Sequence, residues 1–490
     1  MEEYSDKINK IEKVLGKLKS ITGTSIAKKN YRKALDAMTA AAFILEEYNQ
    51  YYVDDDLEKY LSTISKDLVK PGFNNGETEQ DCVLFYDSFG FDTRALALIY
   101  MHALSNLGYK IIYITKIESK DCQPELHNAV KDGNVIWNYV SYDNRHTEVL
   151  DIASLFEKYK PSKAFLYSTP DDAAAMAVFK AYEGIVERFK INLTDHAYWL
   201  GHDSFDYNLE FRNYGACVSV TYRGVPEEKE ILMPFYPYHR PADFQGLPFD
   251  SEGKKIIFSG GSIYKTLGDP GNRFYVIVER LLEGHSDTVF LYAGTGDDSE
   301  IIKLQNKFPG RVYRIDERKD LFELMEHCTL YLNTFPMVGG LMMQFAADAR
   351  KVPLTLIKEG SSNDVNKENL LHQETVEYGD VDSLVAEADK LLSDEDYREQ
   401  RGAALKEDLI SPSKFEEELQ KALTVHKTSY ELKIQKIDTT EFRKQYIIRF
   451  KDQIFRQVIA SGNKKTLIGD FPGLFVQKTY NKIVKKEKLN

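Results

Sequence analysis

The stretch Tyr331-Leu-Asn-Thr-Phe-Pro-Met-Val-Gly-Gly-Leu-Met-Met-Gln-Phe345 indicates the fold more clearly than any other part of the chain. It begins as a short apolar strand, turns at Phe335-Pro336, and places Gly339 and Gly340 where a helix begins. Glycines there let backbone N–H groups come close to an anion, and the dipole of the following helix favours negative charge. The stretch therefore predicts a strand–turn–helix junction that binds phosphate.

Two similar junctions precede it, Ile256-Ile-Phe-Ser-Gly-Gly261 and Val289-Phe-Leu-Tyr-Ala-Gly-Thr-Gly296. The loop after the first continues to Lys265, and a glycine-rich loop that carries a lysine is a plausible phosphate clamp. The alternative is an exposed lysine in a turn. No GxxxxGK[ST] motif occurs, which disfavours a P-loop kinase. Three such junctions predict an α/β domain for a nucleotide and its phosphates, with contacts from Gly260, Gly261, Lys265 and Gly294.

Length and composition narrow the class of protein. A chain of 490 residues predicts two or three domains, and 43% hydrophobic with 29% charged residues is typical of a soluble globular protein. The four cysteines form no CxxC pair, so neither a disulfide framework nor a zinc site is indicated. The N-terminus has no secretory signal pattern, and no apolar run reaches the roughly 20 residues of a membrane span. These features predict a cytoplasmic protein without a bound metal.

Charge is distributed unevenly. Residues 443–490 hold 12 Lys and Arg against three Asp and Glu, in a chain whose net charge is −12. The acidic body argues against nucleic-acid binding. The basic tail leaves two alternatives open: peripheral contact with the inner face of a membrane, or packing of its apolar residues onto the acidic body.

The pattern along the chain predicts four parts: a helical N-terminal extension (1–75), a first Rossmann-like domain on the acceptor side (80–240), a second Rossmann-like domain that binds the nucleotide sugar (250–430), and a basic helical tail (431–490). Helical spacing of Ile8, Ile11, Leu15 and Leu18 supports the first part. That extension packs on the body or serves as an arm for self-association or a partner subunit. The four prolines in Met233–Pro248 predict an interdomain linker.

In both α/β parts, strands alternate with helices, which predicts parallel sheets with right-handed crossovers. The first strand is expected at Val83–Tyr86. Later strands of the first domain are expected at Lys110–Thr115, Val135–Val140, Ala164–Tyr167, Ile191–Leu193 and Cys217–Val220.

Two such domains joined by a proline-rich linker resemble the GT-B-fold glycosyltransferases, in which two Rossmann-like domains face a cleft. Thr334-Phe-Pro-Met-Val-Gly-Gly-Leu-Met-Met-Gln, followed by Lys351-Val-Pro-Leu, resembles the "TFPYNGGTT…EAL…GVPVV" block of protein O-GlcNAc transferases and bacterial cytoplasmic N-glucosyltransferases. His196-Ala-Tyr-Trp-Leu-Gly-His202-Asp-Ser-Phe-Asp-Tyr207 is similar to the "GHxxTxHSxFIDY" segment of the latter. The resemblance implies a UDP-linked sugar donor, no cofactor or metal, and a glycan, lipid-linked or protein acceptor.

The resemblance also implies a set of site residues. Those expected at the nucleotide sugar, beyond the glycine-rich loops, are Arg314, Ile315, Asn333, Thr334, Gly339, Gly340, Leu341 and Gln344, the last near the slot where the family has an acidic ribose ligand. His196 is the first choice for a catalytic base, oriented by Asp195 or Asp203, and His202 is the alternate. A hydrogen-bonded core histidine beside Trp199 is the other interpretation of His196.

One more loop is expected on the acceptor side of the first domain. Gly90 allows close approach there, and Asp92 or Arg94 would meet acceptor or phosphate; the alternative is a plain turn with an N-cap. Two other functions remain open for the whole chain: a sugar-nucleotide epimerase, and a non-catalytic GT-B-like subunit that binds acceptor or a partner transferase.

Overall fold

The structure is a computed structural model that describes residues 2–91, 95–116, 121–130, 133–142, 144–238, 240, 242–357, 376–468, 470, 471 and 474. Contacts divide the chain into two compact units, one of Met1–Met233 with Glu416–Asn490 and one of Pro234–Phe415. The division assigns most of the predicted linker to the second unit and returns the C-terminal part of the chain, from Glu416, to the first.

The first unit is built on a seven-stranded sheet with the order β3-β2-β1-β4-β5-β6-β7, in which every described pair is parallel. Its apolar strands are buried on both faces, as expected for a parallel sheet covered by helices. The strands are β1 (Glu79–Asp87), β2 (Lys110–Lys116), β3 (Val135–Val140), β4 (Pro161–Tyr167), β5 (Glu187–Asn192), β6 (Tyr207–Glu210) and β7 (Glu230–Leu232). The helices are α4 (Ala95–Asn106), α5 (Pro124–Ala129), α6 (Arg145–Tyr159), α7 (Ala173–Ala181) and α8 (Asn213–Arg223).

The N-terminal extension is helical, as predicted, and forms α1 (Glu2–Ala27), α2 (Tyr31–Tyr48) and α3 (Asp55–Leu68). Its apolar stripe is buried, with Ile11, Leu15 and Leu18 at 3% exposure or less. Helix α2 packs against α6, and α3 packs against α7. The stripe is therefore used inside the chain, within the core of the first unit.

The described part of the basic tail packs on this extension. Helix α15 (Pro412–Val425) precedes the tail and begins in the second unit. The tail itself contains α16 (Thr440–Arg449) and α17 (Arg456–Ala460). Phe450, Phe455 and Val458 belong to the same core cluster as α1 and α2. Lys17 Nζ donates to the Thr466 carbonyl at 2.9 Å and contacts Asp470 at 2.8 Å. Among the residues described, every helix is too short or too polar to cross a bilayer.

The second unit has a six-stranded parallel sheet with the order β10-β9-β8-β11-β12-β13. Residues of β8 alternate between two core clusters, Ile257 in one and Phe258 in the other, so apolar side chains cover both faces. The strands are β8 (Lys255–Gly260), β9 (Thr288–Ala293), β10 (Val312–Ile315), β11 (Leu330–Leu332), β12 (Pro353–Leu356) and β13 (Glu377–Tyr378). The helices are α9 (Arg273–Gly284), α10 (Ser299–Lys307), α11 (Leu321–Glu326), α12 (Gly340–Asp348), α13 (Val381–Ser393) and α14 (Glu395–Glu407).

These two sheets confirm the predicted pair of Rossmann-like domains. One strand prediction is wrong: Cys217–Val220 lies inside α8, and the strands beside it are β6 and β7. The predicted linker is not a free segment. Its backbone is held on the second unit, where Gln245 N–H donates to Asp320 at 2.8 Å and Arg318 donates to the Gly246 carbonyl at 2.7 Å.

Candidate functional site

The strand order of the second unit places its topological switch point between β8 and β11. In open α/β sheets, ligands bind at the carboxyl ends of the strands at such a point. The loop after β8 carries Gly260, Gly261 and Lys265, and the loop after β11 carries Asn333 and Gly339. The fold therefore brings two of the three predicted junctions together at this edge.

The loops after β8 and β9 pack against each other, and this contact requires a glycine at position 294. Gly261 N–H donates to the Ala293 carbonyl at 2.9 Å, and Ile263 N–H donates to the Thr295 carbonyl at 3.0 Å. A Cβ atom on Gly294 would lie 2.0 Å from the Gly261 carbonyl oxygen. Gly294 thus lets the two loops pack; its predicted phosphate contact stays a prediction.

Asn333 and Thr334 shape the loop that precedes α12. Asn333 is buried, and its Oδ1 accepts the N–H groups of Thr334 at 2.9 Å and Gly339 at 3.0 Å. Thr334 Oγ1 donates to the Met337 carbonyl at 2.6 Å. Both side chains are thus used within the protein to fix the place where α12 begins.

The N-terminus of α12 has the features of an anion site. Gly339 occupies the N-cap position without a side-chain cap in the described part of the chain, and the first turn holds no acidic residue. The N–H groups of Gly340, Leu341 and Met342 form that first turn, and the Leu341 side chain is 55% exposed. Uncapped N–H groups and the helix dipole both favour a negative charge here.

Lys265 lies on a short 3-10 helix, Ile263–Thr266, after β8. Its carbonyl accepts the Met337 N–H at 3.1 Å, which ties this helix to the loop before α12. The side chain is partly buried, and burial lowers the pKa of its ammonium group. No carboxylate among the described residues pairs with it. Within the described residues, Lys265 is thus a partly buried cation without a carboxylate partner, and its backbone contacts the loop that leads into α12.

The remaining predicted residues of this unit have partners within it. Arg314 Nε donates to the Gly294 carbonyl at 3.2 Å, and its guanidinium also contacts Asp316 at 2.8 Å. The Ile315 carbonyl accepts the Gly294 N–H at 3.0 Å. Gln344 is buried and its Nε2 donates to the Phe235 carbonyl at 3.1 Å. Their roles in nucleotide binding stay predictions.

His196 follows β5 in the first unit, and Asp195 is the residue that orients it. The Asp195 Oδ1 lies 2.8 Å from His196 Nδ1, while Arg212 Nη2 donates to the same oxygen at 2.9 Å. Burial would raise the pKa of Asp195, but Arg212 and His196 together hold it below its ordinary value. The His196 side chain is 39% exposed, so it is not a core histidine. Its Nε2 makes no hydrogen bond to a described residue.

His202 and Asp203 have other partners. His202 Nδ1 lies 3.3 Å from Glu58 of α3, and Asp203 pairs with Lys180. Burial lowers the pKa of His202, but the bond and charge of Glu58 outweigh it, so that pKa is raised. In the described part of the chain, Glu58, His202 and Asp203 are also the group of three ligand-type side chains close enough to hold a metal. Glu58 and His202 are close to each other, and Asp203 pairs with Lys180.

The first-unit loop at Gly90 is a hydrogen-bonded turn. The Gly90 and Phe89 N–H groups donate to Asp87 Oδ1 at 3.0 and 2.9 Å, and the Tyr113 hydroxyl donates to Asp87 at 2.6 Å. Asp92 and Arg94, which the sequence also indicates, lie outside the described residues. Their acceptor-side role stays a prediction.

Sequence reasoning missed the residues that hold the backbone around His196. Arg223 is buried, and its Nη2 donates to the carbonyls of Asp195 at 2.9 Å and Ala197 at 2.6 Å. Asn49 in the N-terminal extension bonds the backbone of His196 and Tyr198. No local pattern indicates either role, because neither residue is near His196 in the chain.

No protein-family model matches the chain, and no curated protein sequence matches it. Similar folds do occur among solved structures. An O-GlcNAc transferase mutant from Thermobaculum terrenum is 14% identical, with 84% of this chain and 80% of that chain covered and a TM-score of 0.52. A glycosyltransferase from Rickettsia africae is 12% identical, with 76% and 100% covered and a TM-score of 0.50.

A putative UDP-N-acetylglucosamine 2-epimerase from Listeria monocytogenes is 10% identical, with 71% of this chain and 97% of that chain covered and a TM-score of 0.49. Identities this low show a shared fold alone. The parallel sheets of both units and the likeness to the first two structures agree with the resemblance inferred from the two-domain pattern and from residues 196–207, 334–344 and 351–354. The chain therefore has the GT-B glycosyltransferase fold, built from two Rossmann-like units.

Proposed function

We propose that this protein is a glycosyltransferase that moves a sugar from a nucleotide diphosphate sugar, with UDP as the nucleotide, to a glycan, lipid-linked saccharide or protein. The observation that carries the proposal is the ammonium group of Lys265. It is partly desolvated and has no carboxylate partner among the described residues. The backbone of Lys265 lies in the loop at the switch point and bonds the loop that leads into α12.

Sugar transfer from such a donor breaks the bond between the anomeric carbon and a phosphate oxygen. The leaving diphosphate gains negative charge in the transition state, and fixed positive charge or aligned N–H groups stabilise it. Lys265 and the first turn of α12 supply both. Stabilisation by these groups without a metal ion is part of the proposal.

The second half of the reaction needs a base for the acceptor proton. His196 is the residue proposed for it, because its Nδ1 is held by Asp195 and its Nε2 has no described partner. Imidazole is suited to proton abstraction near neutral pH. The acceptor oxygen then bonds the anomeric carbon as its proton passes to Nε2, and the diphosphate leaves with the bonding electron pair.

Two structural neighbours, with TM-scores of 0.52 and 0.50, support the choice of a transferase, since one is an O-GlcNAc transferase and the other a glycosyltransferase by name. The epimerase and the non-catalytic subunit are outcomes of the same test. The purified chain is incubated with UDP- and GDP-linked glucose, galactose and N-acetylglucosamine, and released nucleotide and sugar isomers are measured.

Release of UDP by hydrolysis or transfer is the expected result. An isomerised UDP-sugar without free UDP would indicate an epimerase, and tight binding without turnover would indicate a non-catalytic subunit. Lys265→Met should abolish most of the activity. Lys254→Met is the matched control, because Lys254 is exposed and precedes the opposite end of β8.

Membrane contact and a partner subunit are finer parts of the proposal. The apolar stripes of α1 and of the described tail are buried inside the chain. The proposal assigns the contact with an anionic surface to the lysines of residues 475–490. Those residues lie outside the described part. Contact there would bring the enzyme to a lipid-linked acceptor.

A further inference from the structure

The N-terminal extension reaches the segment that carries His196, here called the histidine loop and defined as residues 194–203. The contact is made by Asn49, which follows α2 and is fully buried. Its Nδ2 donates to the His196 carbonyl at 2.9 Å, and its Oδ1 accepts the Tyr198 N–H at 3.1 Å. One side chain thus bonds the loop on both sides of Ala197.

Asparagine meets two separate demands at this position. Its backbone is left-handed, with a φ of 43°, and its N–H closes α2 on the Leu45 carbonyl at 2.7 Å. Asparagine tolerates that conformation better than other residues with a side chain. Its carboxamide also offers one donor edge and one acceptor edge, which a carboxylate or an alkyl group does not. The end of a helix requires only the left-handed backbone. The donor and acceptor edges of the carboxamide are instead explained by the bonds to the histidine loop.

The bonds from Asn49 complete a frame around His196. Arg223 donates to the carbonyls of Asp195 and Ala197. Asn49 donates to the His196 carbonyl and accepts the Tyr198 N–H. Since Arg212 also holds the Asp195 carboxylate, the backbone and the ring are fixed together. The exposed face of the imidazole is then the part left free to meet a reactant.

The C-terminal tail closes the same frame. Phe442 of α16 meets the His196 ring edge-on, with centroids 5.7 Å apart. Next to Asn49, Gln50 Nε2 donates to the Arg443 carbonyl at 2.9 Å, and Arg443 donates back to the Gln50 carbonyl at 3.0 Å. The N-terminal extension and the C-terminal tail therefore meet beside His196.

We infer that Asn49 is a positioning residue for His196, and that the N-terminal extension is part of the catalytic apparatus. The inference rests on the proposed function of His196. Misplacing a catalytic group by about 1 Å can cost roughly 100-fold in rate. Loss of the Asn49 bonds should therefore lower turnover through His196 and leave nucleotide affinity unchanged.

The test combines Asn49→Ala with His196→Ala. Asn49→Ala should lower kcat about tenfold or more, with the dissociation constant for UDP unchanged. In the His196→Ala background the same change should have no further effect, because residues that act as one unit are not additive. Equal losses of kcat in the wild-type and His196→Ala backgrounds would overturn the inference. Asn30→Ala is the matched control, since Asn30 caps the other end of α2 through Lys33 N–H.

Hydrogen exchange separates this inference from the proposed function. Peptides that cover residues 194–203 should exchange at least about tenfold faster in Asn49→Ala and at the wild-type rate in Asn30→Ala. Unchanged exchange in Asn49→Ala would contradict the frame itself. Faster exchange, with normal turnover in His196→Ala, would refute the catalytic role of the histidine and leave the frame standing.

Discussion

Replacing Lys265 by methionine removes the ammonium group and keeps most of the side-chain length. If that group contacts the diphosphate, one charge-assisted hydrogen bond is lost, which costs about 1.5–3 kcal/mol. That range is roughly a 10- to 150-fold rise in the dissociation constant for UDP. Uridine, which has no phosphate, should bind both proteins equally.

The pH dependence gives the same prediction an independent measurement. Burial lowers the pKa of Lys265 in the free protein, and a bound diphosphate would favour the charged form. UDP affinity should therefore fall as pH rises through the lowered pKa, and UDP binding near that pKa should take up protons. Calorimetry in two buffers of different ionisation enthalpy measures the uptake, which should vanish in Lys265→Met.

The same substitution should also stabilise the free protein. The folded chain binds fewer protons at Lys265 than the unfolded chain between the lowered pKa and about 10.4, so stability rises with pH across that window. Lys265→Met removes a partly buried charge that has no carboxylate partner among the described residues, so its gain in unfolding free energy over wild type should be largest below the window. Equal losses of affinity for UDP and uridine, or the same effects in Lys254→Met, would refute the reasoning.

Four further predictions follow from the structure. His196→Ala should lower turnover about 100-fold or more without changing UDP affinity, whereas His202→Ala should mainly destabilise the fold. If activity and melting measurements gave the reverse pattern, His202 would be the catalytic base. The ion pair of His202 with Glu58 should stabilise the protein fully below about pH 6.5 and lose that effect as pH rises through the raised pKa of His202, so urea unfolding of wild type and Glu58→Gln should converge at high pH. Gly294→Ala should destabilise by about 1–3 kcal/mol or more because its Cβ would meet the Gly261 carbonyl, while Gly284→Ala, with nothing within 4 Å of the new Cβ, should be harmless in the same thermal scan. Removing residues 475–490 should abolish salt-sensitive sedimentation with anionic liposomes and leave the melting temperature unchanged; wild type that does not sediment at low salt would count against membrane contact.

The sequence predicts most strands of the first sheet, because parallel strands such as Val83–Tyr86 and Ala164–Tyr167 are continuous apolar runs between turns. The pattern does not predict β6, and it wrongly predicts a strand inside α8. Strand β6 carries Asn208 and Glu210, which are buried and bonded to each other at 2.8 Å. Burial and nearby Asp195 raise the pKa of Glu210 to about 7. Such an internal polar network gives no apolar pattern along the chain.

At the candidate site, the sequence indicates which loops meet but not what each residue does there. The glycine-rich loops are found because α/β sheets bind ligands at strand ends. The contact between Gly261 and Gly294 depends on two separate loops, so local pattern cannot distinguish it from ligand approach. The frame of Asn49 and Arg223 around His196 is likewise made by residues far apart in sequence.

The most direct test of the account is a crystal structure of the full chain with UDP bound. We predict that the diphosphate lies within hydrogen-bond distance of Lys265 Nζ and of the N–H groups at the start of α12. UDP bound only to the first unit, or a diphosphate remote from both groups, would contradict it.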